Sequence, residues 1–232
     1  MALDAGTLAQ LTEAVSKFVD ERLIPLEAQV AAEDEIPETV ITEMAELGLF
    51  GLTIPAEYGG LGLNTEEECR IVMELGRAAP AFRSIIGTNN GIGSQGLVLH
   101  GTDAQRRFYL PKLASGEITG SFALTEPDAG SDSAAISLRA IADGDDFLLS
   151  GTKRYITNAT RAQLFTVFAR TNPDEKGSRG ISAILVDAST PGISLGSPNK
   201  KMGQQGAHVC DVIFEECRVP QGNIVGLSLI HI

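Results

Sequence analysis

Hydrophobic residues recur with two different periods along the chain, and the period changes near Glu117. Between residues 8 and 26 they lie three and four positions apart, which places them on one face of a helix. After Glu117 they alternate with polar residues, as they do in a β-strand with one buried face. The pattern therefore predicts a helical half followed by a strand-rich half, which is an α+β arrangement.

Local signals predict where the helices begin and end. Pro25 interrupts the first hydrophobic stripe, so we expect that helix to be kinked or shortened there. Pro37 and Gly48 lie where a second helix would begin and end. The segments TEEE (65–68) and TDAQ (102–105) have the spacing of capping boxes and predict two further helix starts.

The strand-rich half contains a clear hairpin signal. Asp143 and Gly144 lie between two segments of alternating hydrophobicity, which is the context in which two-residue β-turns form. Three further strands are predicted over QLFTVFAR (163–170), GISAILVD (180–187) and HVCDVIFEE (208–216).

Composition and charge disfavour several classes of function. The net charge of -12 argues against general nucleic-acid binding but is compatible with an anionic small molecule such as a CoA thioester. No apolar run reaches the ~18 residues that a membrane-spanning helix needs, and the histidines have no metal-ligand spacing. Cys69, Cys210 and Cys217 form no C-x-x-C pair, so we expect a reduced, cytoplasmic compartment.

The segment GIGSQG (91–96) fits the pattern G-x-G-x-x-G of dinucleotide-binding domains. A Rossmann fingerprint requires a strand before it and the start of a βαβ unit around it. Residues 91–96 instead lie inside the helical half, so we interpret these glycines as serving helix packing or making room for a ligand.

The segment GSFALTEPDAGSD (120–132) is the most informative stretch for chemistry. A strand is predicted to end near Thr125, after which Pro127 removes one amide and Gly130 permits unusual backbone angles. The turn would present its remaining N–H groups beside the hydroxyls of Thr125 and Ser131, and such donors suit the acceptor-rich edge of a flavin ring or a phosphate. Turn chemistry alone leaves an ordinary Pro-Gly turn between two strands as an alternative.

The string ALTEPDAGSD (123–132) resembles the first signature of the acyl-CoA dehydrogenase family. The resemblance extends in the right order from about residue 10 to residue 226. Its other segments are LGLFGLTIPAEYGGLGL (47–63), GTDAQRRFYLPKLASGEITGSF (101–122), SGTKRYITNA (150–159) and KMGQQGAHVCDVIFEECRVP (201–220).

The resemblance implies an N-terminal all-α domain over 1–117 and an antiparallel β-barrel-like domain over 118–226. In this family a third, helical domain follows and supplies the catalytic glutamate, so we expect this chain to be truncated before it and to be inactive alone. No residue is therefore named as catalytic. The last segment, LSLIHI (227–232), does not resemble the family's continuation and is interpreted as a non-native tail.

The resemblance also implies a set of FAD contacts. These are Phe122, Leu124, Thr125, Gly130, Ser131, Tyr155, Ile156 and Thr157. Ser131 would in addition contact the pantetheine of CoA, and Thr157 would lie near the reactive N5 of the flavin. Tyr155 departs from the family pattern, because that position usually holds Trp.

The implied function is the flavin-dependent α,β-dehydrogenation of an acyl-CoA thioester in fatty acid metabolism. Electron-transferring flavoprotein would be the electron acceptor, and the full-length form would be a homotetramer or homodimer. An acyl-CoA oxidase or flavin monooxygenase on the same scaffold, and a non-catalytic CoA-ester binding protein, are the alternatives.

The acyl group of the substrate stays open at this point. The segment AFRS (81–84) resembles the Arg-Ser pair with which glutaryl-CoA dehydrogenases approach the distal carboxylate of their substrate. Arg83 is therefore a candidate substrate-binding residue for a dicarboxyl-CoA, and an arginine on a solvated helix face is the alternative.

Overall fold

The structure is a computed structural model and describes residues 4–226. The chain divides into two compact units. The first unit runs up to Val98 and also contains Asp103–Ile118 and Lys200–Ala207, and the second contains Leu99–Thr102, Thr119–Asn199 and the chain from His208 onwards. The proposed non-native tail, 227–232, lies outside the described residues, and the boundaries 1–117 and 118–226 stay predictions.

Seven α-helices are described within residues 4–226. They are α1 (Ala5–Phe18), α2 (Ile24–Glu33), α3 (Glu38–Glu46), α4 (Thr65–Leu75), α5 (Pro80–Asn90), α6 (Gln95–His100) and α7 (Asp103–Ser115). The hydrophobic stripes of these helices form the core of the first unit, in which Val15, Leu23, Met44, Ile71 and Phe82 are fully buried.

The helical run that begins at Ala5 does not stop at Pro25. A π-helical turn, Val19–Leu23, joins α1 to α2, and Pro25 lies in the first turn of α2. Pro25 has no N–H to donate to the continuous helical ladder, and the hydrogen-bond pattern is already altered in the π-helical turn directly before it, where the N–H of Ile24 donates to the carbonyl oxygen of Val19. The predicted irregularity is therefore present, but it lies ahead of the proline.

The predicted helix ends are confirmed for α3 and displaced for α4. Pro37 caps the start of α3, and Gly48 follows its end with φ 73° in the left-handed region. The capping box of α4 uses Asn64 and Glu67, one residue earlier than the sequence pattern predicted. The Asn64 side chain accepts from two helix amides, so Thr65 is the first helical residue.

The segment Lys200–Ala207 packs in the helical unit although it comes late in the chain. The N–H of Gly206 donates to Oδ1 of Asp34 at 2.7 Å, and Ala207 is buried in the helical core. Gly206 has φ 90°, and a Cβ there would lie 2.7 Å from Cγ1 of Val30. Hydrophobic periodicity does not predict this return of the chain to the helical unit.

Seven strands form one sheet in the second unit. They are β1 (Gly120–Ala123), β2 (Arg139–Asp143), β3 (Asp146–Thr157), β4 (Leu164–Arg170), β5 (Ile181–Asp187), β6 (Ile193–Leu195) and β7 (Val209–Pro220). The strand order is β1-β4-β2-β3-β7-β6, and β5 also pairs with β4. All the strands predicted from alternation are present, and the short β6 is an addition.

The α+β class is confirmed, but the sheet is mixed rather than purely antiparallel as predicted. β1 and β2 both run parallel to β4, with Gly120 opposite Leu164 and Arg139 opposite Arg170. The segment 124–138 leaves the sheet after β1 and returns further along the same edge of β4, so both strands enter in the same direction. The remaining pairs are antiparallel, including the predicted hairpin, whose turn contains Gly144 with φ 63°.

Candidate functional site

The edge of β1 that faces away from β4 carries no strand in the described part of the chain. Just beyond it, the N–H groups of Leu124 and Thr125 donate to no acceptor among residues 4–226, although both residues are half-buried. Backbone donors in such positions are nearly always paired. Two neighbouring donors without a partner are suited to a ligand that offers acceptors.

The turn after β1 is closed by backbone hydrogen bonds. Glu126 and Ala129 bond to each other through both backbone pairs, at 2.9 and 3.3 Å, and leave Pro127 and Asp128 exposed at the tip. The carbonyl oxygen of Thr125 accepts from the N–H of Arg154 at 2.7 Å, which fixes the turn against β3.

Gly130 and Ser131 lie exposed after this turn. The expectation that Gly130 adopts backbone angles closed to other residues is wrong, because its φ is outside the left-handed region. A Cβ at Gly130 would also meet no atom within 4 Å. The glycine is not required by the fold, and its place leaves open space beside the Ser131 hydroxyl.

A buried ion pair lies directly behind the turn. Nζ of Lys153 is 2.7 Å from Oε1 of Glu126 and 3.0 Å from the carbonyl oxygen of Leu124. The side chains of Lys153 and Glu126 are 0% and 4% exposed. The Glu126 carboxylate also accepts from the N–H and hydroxyl of Ser137 and from the N–H of Leu138.

The pKa values of both groups of this pair lie below their usual values. Burial alone would raise the pKa of the Glu126 carboxyl, but its hydrogen bonds to Lys153, Ser137 and Leu138 outweigh burial and hold that pKa below its usual value. Burial lowers the pKa of the Lys153 ammonium, and the Glu126 carboxylate opposes that shift.

Tyr155 has an unusual backbone for a residue in a strand. Its φ is 59°, and it lies where the register between β3 and β7 shifts, between Lys153 and Ile156. A non-glycine residue in this region costs roughly 1–2 kcal/mol. The bulge turns the Tyr155 side chain outward, where 60% of the residue is exposed and the Arg154 guanidinium lies 5.6 Å from the ring centroid. Strain of this kind is concentrated at functional sites.

The next two residues of β3 connect it to β1. Ile156 is buried, whereas Thr157 is half-buried and its carbonyl oxygen accepts from the hydroxyl of Ser121 at 2.6 Å. Phe122 packs on Phe168 with ring centroids 4.8 Å apart. The two predicted segments, 122–131 and 155–157, are thus brought together by hydrogen bonds from Arg154, Lys153 and Ser121.

Sequence reasoning missed Lys153, although a signal for it was present. Phe147, Leu149, Gly151 and Lys153 alternate along β3, and side chains two residues apart point to the same face of a sheet. Phe147 and Leu149 are in the core, so the alternation places a lysine on a buried face. A lysine there requires a partner, and the only sequence clue to Glu126 was its place in the turn.

Arg83 belongs to the first unit and is exposed on α5. Its guanidinium folds over Gly87, where an added Cβ would lie 2.7 Å from Nη1. Burial raises the pKa of the Glu68 carboxyl, and the charge of Arg83 opposes this. Arg83 therefore has an acidic neighbour within its own unit, and its role toward a substrate stays a prediction.

Within the described ranges, no helix is long and apolar enough to cross a membrane. Residues 4–226 also contain no cluster of three or more His, Cys, Asp and Glu side chains that could hold a metal ion.

The residues that the second unit brings together fit a flat heteroaromatic ring. Two free backbone N–H groups offer donors to an acceptor-rich edge, and an exposed tyrosine offers a face for stacking. The hydroxyls of Thr125, Ser131 and Thr157 add polar groups along the same two segments. This donor set suits the pyrimidine edge of a flavin.

Comparison with known proteins gives matches over most of the chain. Residues 7–117 match the family model of the acyl-CoA dehydrogenase N-terminal domain, and residues 121–217 match that of the acyl-CoA dehydrogenase middle domain. An acryloyl-CoA reductase (NADH) from Anaerotignum propionicum is 40% identical over 218 residues, which are 93% of this chain and 55% of the relative. Mitochondrial isovaleryl-CoA dehydrogenase from Pongo abelii is 37% identical over 220 residues, 94% of this chain and 52% of the relative.

Solved structures agree with these sequence matches. An acyl-CoA dehydrogenase from Bacillus anthracis, in complex with FAD, has a TM-score of 0.86 and 30% identity, and the match covers 96% of this chain and 38% of that one. The chain spans about half the length of the curated relatives it matches.

Proposed function

The chain belongs to the acyl-CoA dehydrogenase family, and from this premise we propose that its second unit binds FAD for the α,β-dehydrogenation of an acyl-CoA thioester. The observation that carries the proposal is the pair of unpartnered N–H groups at Leu124 and Thr125, beside the strained and exposed Tyr155. A folded protein rarely leaves two adjacent, half-buried backbone donors without acceptors. A flavin supplies the missing acceptors and a flat surface for the tyrosine.

Each residue has a proposed task at this site. The N–H groups of Leu124 and Thr125 hold the pyrimidine edge, and Tyr155 stacks on the ring system. The Thr157 hydroxyl orients the edge that exchanges hydride, and Ser131 binds phosphate and the pantetheine of CoA. When bound, FAD supplies a two-electron acceptor for the hydride that leaves the β-carbon of the acyl group.

The reaction also needs a carboxylate that removes the α-proton of the thioester. Glu126 is unsuited to this task because its carboxylate already accepts four hydrogen bonds. Glu215 and Glu216 lie exposed on β7 and carry no feature of a base. We therefore propose that the base comes from outside residues 4–226.

The substrate and partners of the whole protein follow as proposals from the family. We propose an acyl-CoA as substrate and electron-transferring flavoprotein as electron acceptor, with a homotetrameric or homodimeric full-length form in the cytoplasm. Arg83 is proposed to select a dicarboxyl-CoA, since an exposed guanidinium suits the distal carboxylate of such a substrate.

Reduction of an enoyl-CoA is a second candidate activity. The similarity to an acryloyl-CoA reductase favours it. The same flavin site serves both directions, because hydride transfer between carbon and flavin is reversible. Reduction of acryloyl-CoA by NADH with the full-length protein, compared with the oxidation of saturated thioesters, distinguishes the two.

FAD binding itself is tested by titrating the chain with FAD and following the quenching of flavin fluorescence. We expect saturable binding, and we expect Tyr155→Ala to weaken it by about tenfold, since stacking on an aromatic ring contributes roughly 1–2 kcal/mol. Ile141→Ala is the matched control, because Ile141 is also an exposed large side chain of the same sheet. A chain that quenches no FAD fluorescence at any concentration contradicts the proposal.

A further inference from the structure

Burial of the Lys153–Glu126 pair carries a large desolvation penalty. Both side chains are almost completely removed from water, and the desolvation of two charges is repaid only when geometry and additional hydrogen bonds are excellent. Well-packed apolar residues at such places are often equally stable or more so. Stability alone therefore does not explain why two charged residues, Lys153 and Glu126, occupy these positions.

The ammonium group of Lys153 bonds directly to one peptide of the turn. Its Nζ lies 3.0 Å from the carbonyl oxygen of Leu124, and that carbonyl shares its peptide plane with the N–H of Thr125. The chain contains no cis peptide bond among the described residues, so this N–H points away from Lys153. Among residues 4–226 this N–H has no acceptor.

A hydrogen bond from a charged donor to a carbonyl polarises the whole peptide group. Electron density moves toward the oxygen, and the N–H on the other side of the peptide becomes a stronger donor. This effect is stronger here than at the protein surface, because the Lys153 side chain is 0% exposed and electrostatic interactions are less screened in a buried environment. The Thr125 N–H is thus the end of a short relay that begins at a buried positive charge.

Glu126 fixes the position of that charge. One carboxylate oxygen accepts from Lys153 and from the N–H of Leu138, and the other accepts from Ser137. Leu138 and Ser137 immediately precede β2, and Leu124 follows β1. The pair thereby clamps the two ends of the segment that leaves the sheet, and it holds the Leu124–Thr125 peptide in a single orientation.

We propose that Lys153, held by Glu126, is a positioning residue that orients and polarises the Leu124–Thr125 peptide and so strengthens the hydrogen bond from the Thr125 N–H to the acceptor edge of the bound flavin. The inference rests on the proposed FAD site. According to this inference, Lys153 contributes to the affinity for FAD without touching the cofactor.

Two variants and one control of the 232-residue chain test the inference. Lys153→Gln keeps an N–H donor but removes the charge, whereas Glu126→Gln/Lys153→Met removes both charges and leaves neither buried alone. Arg218→Met is the matched control, because its loss also deprives two carboxylates of the same unit, Asp143 and Asp146, of their cation.

FAD affinity is the first readout. We expect the dissociation constant of FAD to rise by about tenfold or more in both Lys153 variants, as for the loss of a charge-assisted hydrogen bond, and by less than about twofold in Arg218→Met. The second readout is the amide proton shift of Thr125 in the flavin-free chain, measured by NMR. It should move upfield in both Lys153 variants, whereas the amide of Leu124 belongs to the preceding peptide and should stay nearly unchanged.

The outcomes separate this inference from the proposed function. A folded variant without the Lys153 charge that binds FAD as tightly as the parent chain overturns the inference and leaves the FAD site standing. A parent chain that binds no FAD overturns the proposed function, while the Thr125 shift still reports on the relay within the apoprotein. If the double variant does not fold, Lys153→Gln decides the question by the same two readouts.

Discussion

The hydroxyl of Ser121 donates a 2.6 Å hydrogen bond to the carbonyl oxygen of Thr157 and joins β1 to β3 at a place where the two strands do not pair. Ser121 is fully buried, so no water replaces this bond when it is lost. The bond sets the spacing between the two segments of the proposed flavin site.

Ser121→Ala is therefore expected to affect both stability and binding. The free energy of unfolding, measured with urea, should fall by about 1–2 kcal/mol, because the Thr157 carbonyl loses its partner. FAD affinity should fall as well, since the two segments are no longer tied. Ser182→Ala is the matched control, because Ser182 is equally buried and its hydroxyl bonds to Thr171 at 2.8 Å in the same unit. Equal losses of FAD affinity in both variants would contradict the role of Ser121.

The left-handed backbone of Tyr155 predicts that a glycine variant is more stable than an alanine variant, which is the reverse of the order in an ordinary strand. In an ordinary strand, glycine is less stable than alanine by roughly 0.5–1 kcal/mol. At φ 59° only glycine is free of steric conflict, so Tyr155→Gly should be more stable than Tyr155→Ala by about 1 kcal/mol. Urea unfolding of the two variants measures this difference. An alanine variant at least as stable as the glycine variant would show that the bulge carries no strain.

The Glu126 carboxyl predicts a pH-dependent contribution to stability. Its pKa is lower in the folded chain than the ordinary value of 4.5, so its contribution is fully present above that pH and is lost as the pH falls through the lower, folded value. Glu126→Gln should reduce the free energy of unfolding at neutral pH by roughly 1–3 kcal/mol. The difference from the parent chain should narrow below pH 4.5. Parallel pH profiles of the two proteins would contradict this prediction.

Gly206→Ala should loosen the segment 200–207 in the helical unit. The added methyl group meets Val30 and Ile36 at 2.7 and 3.0 Å, and the residue has φ 90°. Strain and overpacking together should reduce the free energy of unfolding by roughly 1–3 kcal/mol. Gly203→Ala is the control, since its Cβ would meet no atom within 4 Å and its φ is not positive. Similar urea midpoints for the two variants would contradict the close packing at Gly206.

Local features of the fold were predictable from the sequence. The predicted hairpin is present with its two turn residues at Gly144 and Asp145, one position later than Asp143-Gly144, and the helix end at Gly48 is present as predicted. Both features are determined by the conformational needs of a few neighbouring residues. The capping box of α4 was displaced by one residue, because Asn64 and Thr65 are both good caps and the pattern does not rank them.

Long-range features were not predictable in the same way. The parallel pairing of β1 and β2 with β4 depends on where the segment 124–138 returns to the sheet, and hydrophobic alternation carries no information on strand direction. The family resemblance implies the site segments 122–131 and 155–157, whereas the hydrogen bonds that join them connect residues 29 to 36 positions apart and follow no local pattern. The left-handed backbone of Tyr155 lies at a register shift between β3 and β7. The sequence around Tyr155 contains no pattern that predicts such a shift.

Just beyond β1, the half-buried N–H groups of Leu124 and Thr125 have no acceptor among residues 4–226, so a strand of another molecule can pair with them. Exposed strand edges accept strands from other molecules, and proteins usually block them with a bulge, a charge or a covering segment. In this chain the acceptor groups of a flavin would do that work, so apoprotein made in cells starved of riboflavin should self-associate. The solubility of the expressed chain would then depend on the supply of riboflavin, because the flavin covers the peptide groups that otherwise pair with other molecules.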